Sequence, residues 1–264
     1  MKKLIALVLA LALLLGLTCT AYAGKLEEIQ ERGTLRAGVS LGGLPLGSRD
    51  DNGNPIGFDY EYAVKMAEEL GVELEMIETD GDTRIPSLTS DRVDVIFANI
   101  TGTLQRALVI DFSIPYIITG IRMLAKTESE FESLEDINDS SYTIVVCRGT
   151  TSEDLAKELA PEANLMYVTN DNDIILAVRQ GKADVGLADG TAMDYAAMTS
   201  NGVLKTCGQL YTSDPICLGI AKGDPDFLNW INMFVSRTIS SGWNTEQYVK
   251  HFGTEPIAEL YHPW

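Results

Sequence analysis

Strand-sized apolar runs alternate with helix-sized amphipathic runs along most of this chain, in two successive series. That alternation confines the chain to α/β architectures, because a helix returning from one strand to the next lies against the sheet. In the first series Thr34 to Val39, Val72 to Ile77 and Asp94 to Ala98 read as strands. Lys25 to Arg32 reads as a helix stopped by Gly33. Asp59 to Leu70 is a helix with apolar residues at 60, 63, 66, 67 and 70, ended by Gly71, and a short helix follows Arg84. In the second series strands are expected at Tyr142 to Cys147, Asn164 to Val168, Ala183 to Leu187, 203–208 and 216–221. Helices are expected from Thr150, over Asp171 to Gln180, from Thr191 to Met198, and at 224–240 and 243–251. The stretches around Ile118 to Ile121 and Leu210 to Ser213 read as crossovers between two lobes.

Ligands of open α/β sheets sit outside the carboxyl ends of the strands. The polar loops at Ser40, Arg84, Asn99–Thr101, Arg148–Thr151 and Asp189 all fall at such ends, which describes a cleft. The segment from Asp94 to Arg106 is the most pointed of them: a buried strand, then a polar turn closing on an arginine. A planar guanidinium grips both oxygens of a carboxylate, so the segment suits a carboxylate ligand.

The start of the chain reads as a targeting segment. Lys2 and Lys3 precede an apolar run from Leu4 to Leu17, and Ala21-Tyr22-Ala23 is a small-x-small cleavage signal. The run is short for a transmembrane anchor. Lipid anchoring at Cys19 is a third reading, with a poor signal before it. Residues 1–23 are therefore expected to be a cleaved signal peptide and the protein to be periplasmic. Removing Lys2 and Lys3 brings the formal charge from −18 to −20. Such acidity repels nucleic acid and anionic lipid, so neither is expected as a partner.

Cys147, Cys207 and Cys217 remain after cleavage, an odd number that excludes a full disulfide framework. Cys207 and Cys217 are either paired across neighbouring strands or two buried thiols. His251 and His262 are the only histidines, and no Cys/His cluster has metal-ligand spacing, so neither a metal nor a cofactor is expected.

Several motifs resemble the family 3 extracellular solute-binding proteins, the polar amino-acid receptors of ABC importers. Gly57-Phe58-Asp59-Tyr60-Glu61-Tyr62, Asp94-Val95-Ile96 through Arg106, and Phe112-Ser113-Ile114-Pro115-Tyr116 carry the likeness in the first half. Gly149-Thr150-Thr151, Ala183 to Asp189, and Gly242-Trp243 to Gly253 carry it in the second. The resemblance implies a type II periplasmic-binding-protein-like fold: two α/β lobes on two hinge strands around one ligand cleft. Lobe 1 would be 24–119 plus 213–264, and lobe 2 would be 120–212. It implies a monomer whose partners are one amino acid and the membrane permease of an importer.

Carried over by motif, Arg106 would clamp the α-carboxylate, with the backbones of Thr101 and Thr151 donating to it. Asp189 would bind the α-ammonium, helped by Asn99 and the Thr101 hydroxyl, and Thr150 and Cys147 would line the wall. Alone, Arg106 reads first as a surface or structural ion pair, Asp189 could merely cap a helix, and Thr150 and Thr151 are caps on any reading. A zwitterion needs one cation and one anion a few ångströms apart, so two lobes that each bring one would close on their ligand.

The chain also departs from its resemblance. Gly43 and Gly81 stand where relatives sandwich the ligand side chain with aromatics, and Ser40 stands where basic-amino-acid receptors carry an acid. An Arg or Lys ligand is disfavoured, because the first lobe supplies no anion. Arg84, before Ile85-Pro86, either meets a carboxylate, amide or thiolate of the ligand or pairs with Asp82 or another local acid. A small polar or acidic amino acid is expected. The rival is a periplasmic cyclohexadienyl/arogenate dehydratase-like enzyme, with Glu153 or a stray Asp as the acid. No catalytic residue is assigned, since no partner set is expected to push a cleft pKa usefully. A ligand-sensing module for a membrane receptor is the third class, and no fused transmembrane or kinase segment supports it.

Overall fold

The computed structural model describes residues 24–256. Residues 1–23, with the leader and Cys19, lie outside them, as does His262.

The first sheet is five-stranded, in the order β4-β1-β5-β12-β6. Its strands are β1 (Thr34–Val39), β4 (Glu73–Glu78), β5 (Val95–Thr101), β6 (Ile110–Thr119) and β12 (Asp214–Ala221). β1 pairs parallel with β4 and β5, while β12 runs antiparallel to β5 and β6. The second sheet has the order β11-β7-β10-β8-β9. It holds β7 (Ile121–Lys126), β8 (Thr143–Cys147), β9 (Asn164–Val168), β10 (Val185–Asp189) and β11 (Leu204–Cys207). A ribbon of β2 (Ser48–Arg49) and β3 (Pro55–Ile56) completes the strands.

The chain passes between the sheets twice, at Gly120 and between Cys207 and Asp214. The crossings touch: Tyr211 N–H donates to the Ile121 carbonyl at 2.9 Å and Ile121 N–H to Thr212 Oγ1 at 2.9 Å. A Cβ on Gly120 would stand 2.0 Å from the Thr212 carbonyl oxygen, so glycine is what lets the two strands lie side by side.

Helix α1 (Lys25–Arg32) is held down by one carboxylate. The Asp94 side chain is 0% exposed and meets Arg36 Nη2 at 2.7 Å, Lys25 Nζ at 3.7 Å and the Arg32 guanidinium. A buried carboxylate is tolerable only when so paired. Helix α2 (Phe58–Leu70) buries Phe58, Tyr62, Ala63, Met66, Ala67 and Leu70 on one face and stops at Gly71, φ 70°. Against it pack Tyr116 of β6 and, from the last two helices, Pro225–Ser240 and Trp243–Phe252, the rings of Phe234, Trp243, Tyr248 and Phe252. Such ring pairs contribute about 0.5–1.5 kcal/mol each beyond their buried area. Asn244 Nδ2 satisfies the Tyr116 carbonyl at 2.9 Å and also reaches the Tyr62 hydroxyl.

Three expectations change. Cys207 lies in the second sheet and Cys217 in the first, and both are free buried thiols, so the disulfide alternative is excluded. The strand expected over Asp94 to Ala98 runs on to Thr101, because β12 pairs with it there and the Asp59 carboxylate takes the Asn99 N–H. Finally β6 and β7 occupy a stretch with no predicted strand. Pro115 disguises β6, but β6 is the edge of its sheet and its pairing shifts register at that residue, where proline is tolerated.

Candidate functional site

The carboxyl ends of strands from both sheets face one another across a cavity of about 650 Å³, counting its mouth. Ser40, Arg84, Asn99, Thr101, Cys147, Thr150, Thr151 and Asp189 all line it. Arg106 alone of the expected residues is not part of this wall.

Asn99 lies near the end of β5 with φ 47°, the left-handed region that asparagine tolerates better than most residues. The buried Asp59 holds that geometry, accepting Asn99 N–H at 2.9 Å and the Tyr116 hydroxyl at 2.6 Å. Burial pushes the Asp59 carboxyl up to about 6, against the pull of those two donors. The turned strand aims Asn99 Nδ2 at Asp189 Oδ2, 2.5 Å away at the end of β10. One hydrogen bond thus joins the two sheets across the cavity.

Arg106 sits past β5 in a short 3₁₀ turn, Arg106–Leu108. Its Nη1 donates to the Thr101 carbonyl at 2.9 Å and its Nη2 to the Gly149 carbonyl at 3.1 Å, so it too bridges the sheets. Burial holds its pKa below the usual arginine value, against the attraction of Asp189.

Arg84 opens α3 (Arg84–Thr89) and is 5% exposed. Its Nη1 donates to the carbonyls of Ala98 at 2.7 Å and Asn99 at 3.0 Å, while its Nε has no partner among the described residues. The alternative pairing with Asp82 or another local acid does not form: no acid lies within 4.0 Å of it among the described residues. Burial, with Arg106 nearby, pushes its pKa down to about 10, so it stays cationic at neutral pH.

In the second sheet Thr150 caps helix α4 (Thr151–Leu159), accepting Glu153 N–H at 3.3 Å and donating to the Cys147 carbonyl at 2.8 Å. Burial raises the Cys147 thiol well above its ordinary value, so it is neutral. Asp189 caps nothing through its side chain, which removes the helix-cap reading. Burial, then the charges of Asp171 and Asp214, push it up to about 7.

Asp171 is the wall residue that sequence reasoning missed. It opens helix α5 (Asp171–Gln180) just after β9, lines the cavity, and takes a weak contact from Cys147 Sγ at 3.9 Å. Burial raises it to about 6. The signal was present: Thr169 to Asp171 follows a strand as the other five loops do, and Asn170 caps the helix that Asp171 opens. The expectation that no cleft pKa is usefully shifted does not hold, because both wall carboxylates are largely desolvated, with no cation at contact distance among the described residues. Glu153 is a poor acid all the same. Burial raises it, but Lys157 at 2.6 Å and Gly149 N–H at 2.9 Å outweigh that and leave it ionised.

Gly43 faces Asn172 and Asp171, and Gly81 packs on the Arg148 carbonyl, where a Cβ would stand 2.4 Å from the oxygen. Backbone meets backbone across the cleft at Gly81, one of the two positions where an aromatic wall is expected in relatives.

Residues 35–254 match the model of the bacterial extracellular solute-binding proteins, family 3. The L-cystine-binding protein TcyJ of Escherichia coli is 28% identical over 252 residues, 94% of either chain. The ABC transporter glutamine-binding protein GlnH of Bacillus subtilis is 28% identical over 235 residues, 88% of this chain and 85% of that one. An ancestral amino acid-binding protein, a precursor of cyclohexadienyl dehydratase, superposes with a TM-score of 0.80 at 34% identity, covering 87% of this chain and all of its own. Some relatives are enzymes, a cyclohexadienyl dehydratase among them. The two-sheet α/β architecture is thus the periplasmic-binding-protein fold of amino-acid-binding proteins. The chain belongs to family 3 of the bacterial extracellular solute-binding proteins. Among the described residues no helix is long and apolar enough to cross a membrane.

Proposed function

We propose that this protein captures an amino acid in the periplasm, after loss of residues 1–23, and delivers it to the permease of an ABC importer. It works as a monomer of two lobes, 24–119 plus 213–264 and 120–212, that close on the ligand about the paired crossings. One observation carries the reading: Asp189 on the wall and Arg106 just behind it, bonded to the wall residue Thr101, are opposite charges beside one cavity that are not paired with each other. A zwitterion bridging them neutralises both, and each charge-assisted bond contributes about 1.5–3 kcal/mol. Arg106 takes the α-carboxylate beside the Thr101 and Thr151 backbones. Asp189 takes the α-ammonium beside Asn99 and Thr101. Ser40, Thr150, Cys147 and Arg84 surround the side chain, and Arg84 favours a polar or acidic one. The amino-acid relatives support the class, and they differ among themselves in ligand.

The protein is proposed not to be an enzyme. The raised carboxyls of Asp171 and Asp189 and the likeness to a cyclohexadienyl dehydratase favour that rival, but Glu153 is ionised and off the cavity wall. Incubation with prephenate and arogenate tests this: no turnover is expected, and steady product formation overturns it. A thermal-shift screen across the twenty amino acids tests the binding reading, because a ligand that binds only the folded state raises its stability by mass action. At least one amino acid is expected to raise Tm, and no response to any of them contradicts the assignment.

A further inference from the structure

The charges of the cavity exceed what one zwitterionic head uses. If Arg106 and Asp189 hold that head, as proposed above, Arg84 and Asp171 remain on the same wall. Neither lies within 4.0 Å of an opposite charge among the described residues. Arg84 is 5% exposed, and its carbonyl partners occupy Nη1 alone. Its Nε is buried and unpartnered. That leaves the Nε edge of the guanidinium, one of the edges that forks onto a carboxylate, with no protein acceptor at Nε. Among the described residues the Asp171 carboxylate has one hydrogen-bond partner, the thiol of Cys147 at 3.9 Å. A neutral ligand side chain would leave both charges buried and unmatched, an acidic one would match only Arg84, and a basic one only Asp171. Unmatched buried charges weaken a complex severely.

We propose that Arg84 and Asp171 form a second head-group subsite, so that the ligand is a diamino dicarboxylic acid with an amino-acid head at each end. Arg84 receives the far carboxylate and Asp171 the far ammonium. Asp171 supplies from the second sheet the anion that the first does not, which refines the side chain from acidic to doubly charged. Gly42 and Gly43, which also line the cavity, pack directly against the start of α5 at Asn170 to Asn172 and so bring the opposing wall up to Asp171.

Calorimetric titration of the wild-type protein tests this with two-headed probes, meso-2,6-diaminopimelate, L,L-cystathionine and L-cystine. The single-headed controls are L-glutamate (acidic), L-lysine (basic) and S-methyl-L-cysteine (neutral). At least one two-headed probe is expected to bind about tenfold or more tighter than every control. Asp171→Asn and Arg84→Gln should each shrink that preference by about tenfold. Arg84 also supports backbone carbonyls, so Asp171→Asn decides if Arg84→Gln fails to fold. A control that binds as tightly as the best two-headed probe, or a preference that survives Asp171→Asn, overturns the second subsite and leaves the amino-acid reading standing. Absence of binding by every amino acid overturns both.

Discussion

Asn99 and Asp189 belong to different sheets, yet Asn99 Nδ2 donates to Asp189 Oδ2 at 2.5 Å across the cavity. The bond exists because Asn99 adopts φ 47° under the hold of Asp59. Backbone and side chain can be separated here. Asn99→Gly keeps the left-handed backbone and loses only the bridge, whereas Asn99→Ala loses both. Both variants should bind ligand more weakly. Alanine should cost about 1–2 kcal/mol more in urea unfolding than glycine, the strain of a β-carbon in that region. Equal stability of the two would show that the turned backbone is not strained.

Protonation should move stability and affinity in opposite directions. Asp189 and Asp171 titrate near 7 and 6 in the folded protein, above the 3.8 of an unperturbed aspartate. A folded carboxyl that holds its proton more tightly than the unfolded chain stabilises at low pH. That contribution is complete below 3.8 and is lost as pH rises through about 7. The ligand ammonium needs the carboxylate, so affinity falls as pH drops below about 7. Tm of the ligand-free protein, measured from pH 8 to about 5 as the difference between wild type and Asp189→Asn, should favour wild type progressively with acid. A difference that does not vary with pH contradicts the assignment.

The close approach of the two sides of the cavity at Gly81 depends on a missing side chain. A Cβ on Gly81 would fall 2.4 Å from the Arg148 carbonyl oxygen, which is backbone and cannot swing aside. Gly81→Val should therefore hold the cleft ajar. Ligand affinity is expected to drop by about tenfold or more while the unfolding midpoint of the free protein barely moves. Unchanged affinity would mean that the Gly81–Arg148 approach is not needed for binding.

The Tyr116–Asp59 hydrogen bond, 2.6 Å long and fully buried, supports the Asn99 geometry from behind. Tyr116→Phe removes one of two donors to a buried carboxylate and should cost about 1–3 kcal/mol in urea unfolding. A cost near zero would show that Asn99 N–H alone satisfies Asp59.

Much of this was legible in the sequence, for reasons that particular residues make clear. Helix α2 announces itself by its apolar spacing and Gly71, and the cleft loops by polar residues after buried strands. Asn99, Thr101, Thr150, Cys147 and Asp189 converge because each ends a strand or starts the helix after one. What stayed hidden depends on three-dimensional pairing. Pro115 masks β6, because only the sheet order reveals it as an edge. Cys207 and Cys217 are ten positions apart in sequence, but the chain changes sheets between them. Asp171 passes for a first-turn acid beside a good cap. Arg84 looks like half of a surface ion pair until its carbonyl partners appear.

Arg106 is the sharpest test of the whole account. It touches the Thr101 and Gly149 carbonyls rather than the cavity wall, so its role as carboxylate clamp rests on a ligand displacing those carbonyls. Thermal shift of wild type and Arg106→Ala against the same amino-acid panel decides it. The account predicts a rise in Tm with at least one amino acid on wild type, and loss of that rise in a variant that still unfolds cooperatively. An undiminished rise on Arg106→Ala would contradict it.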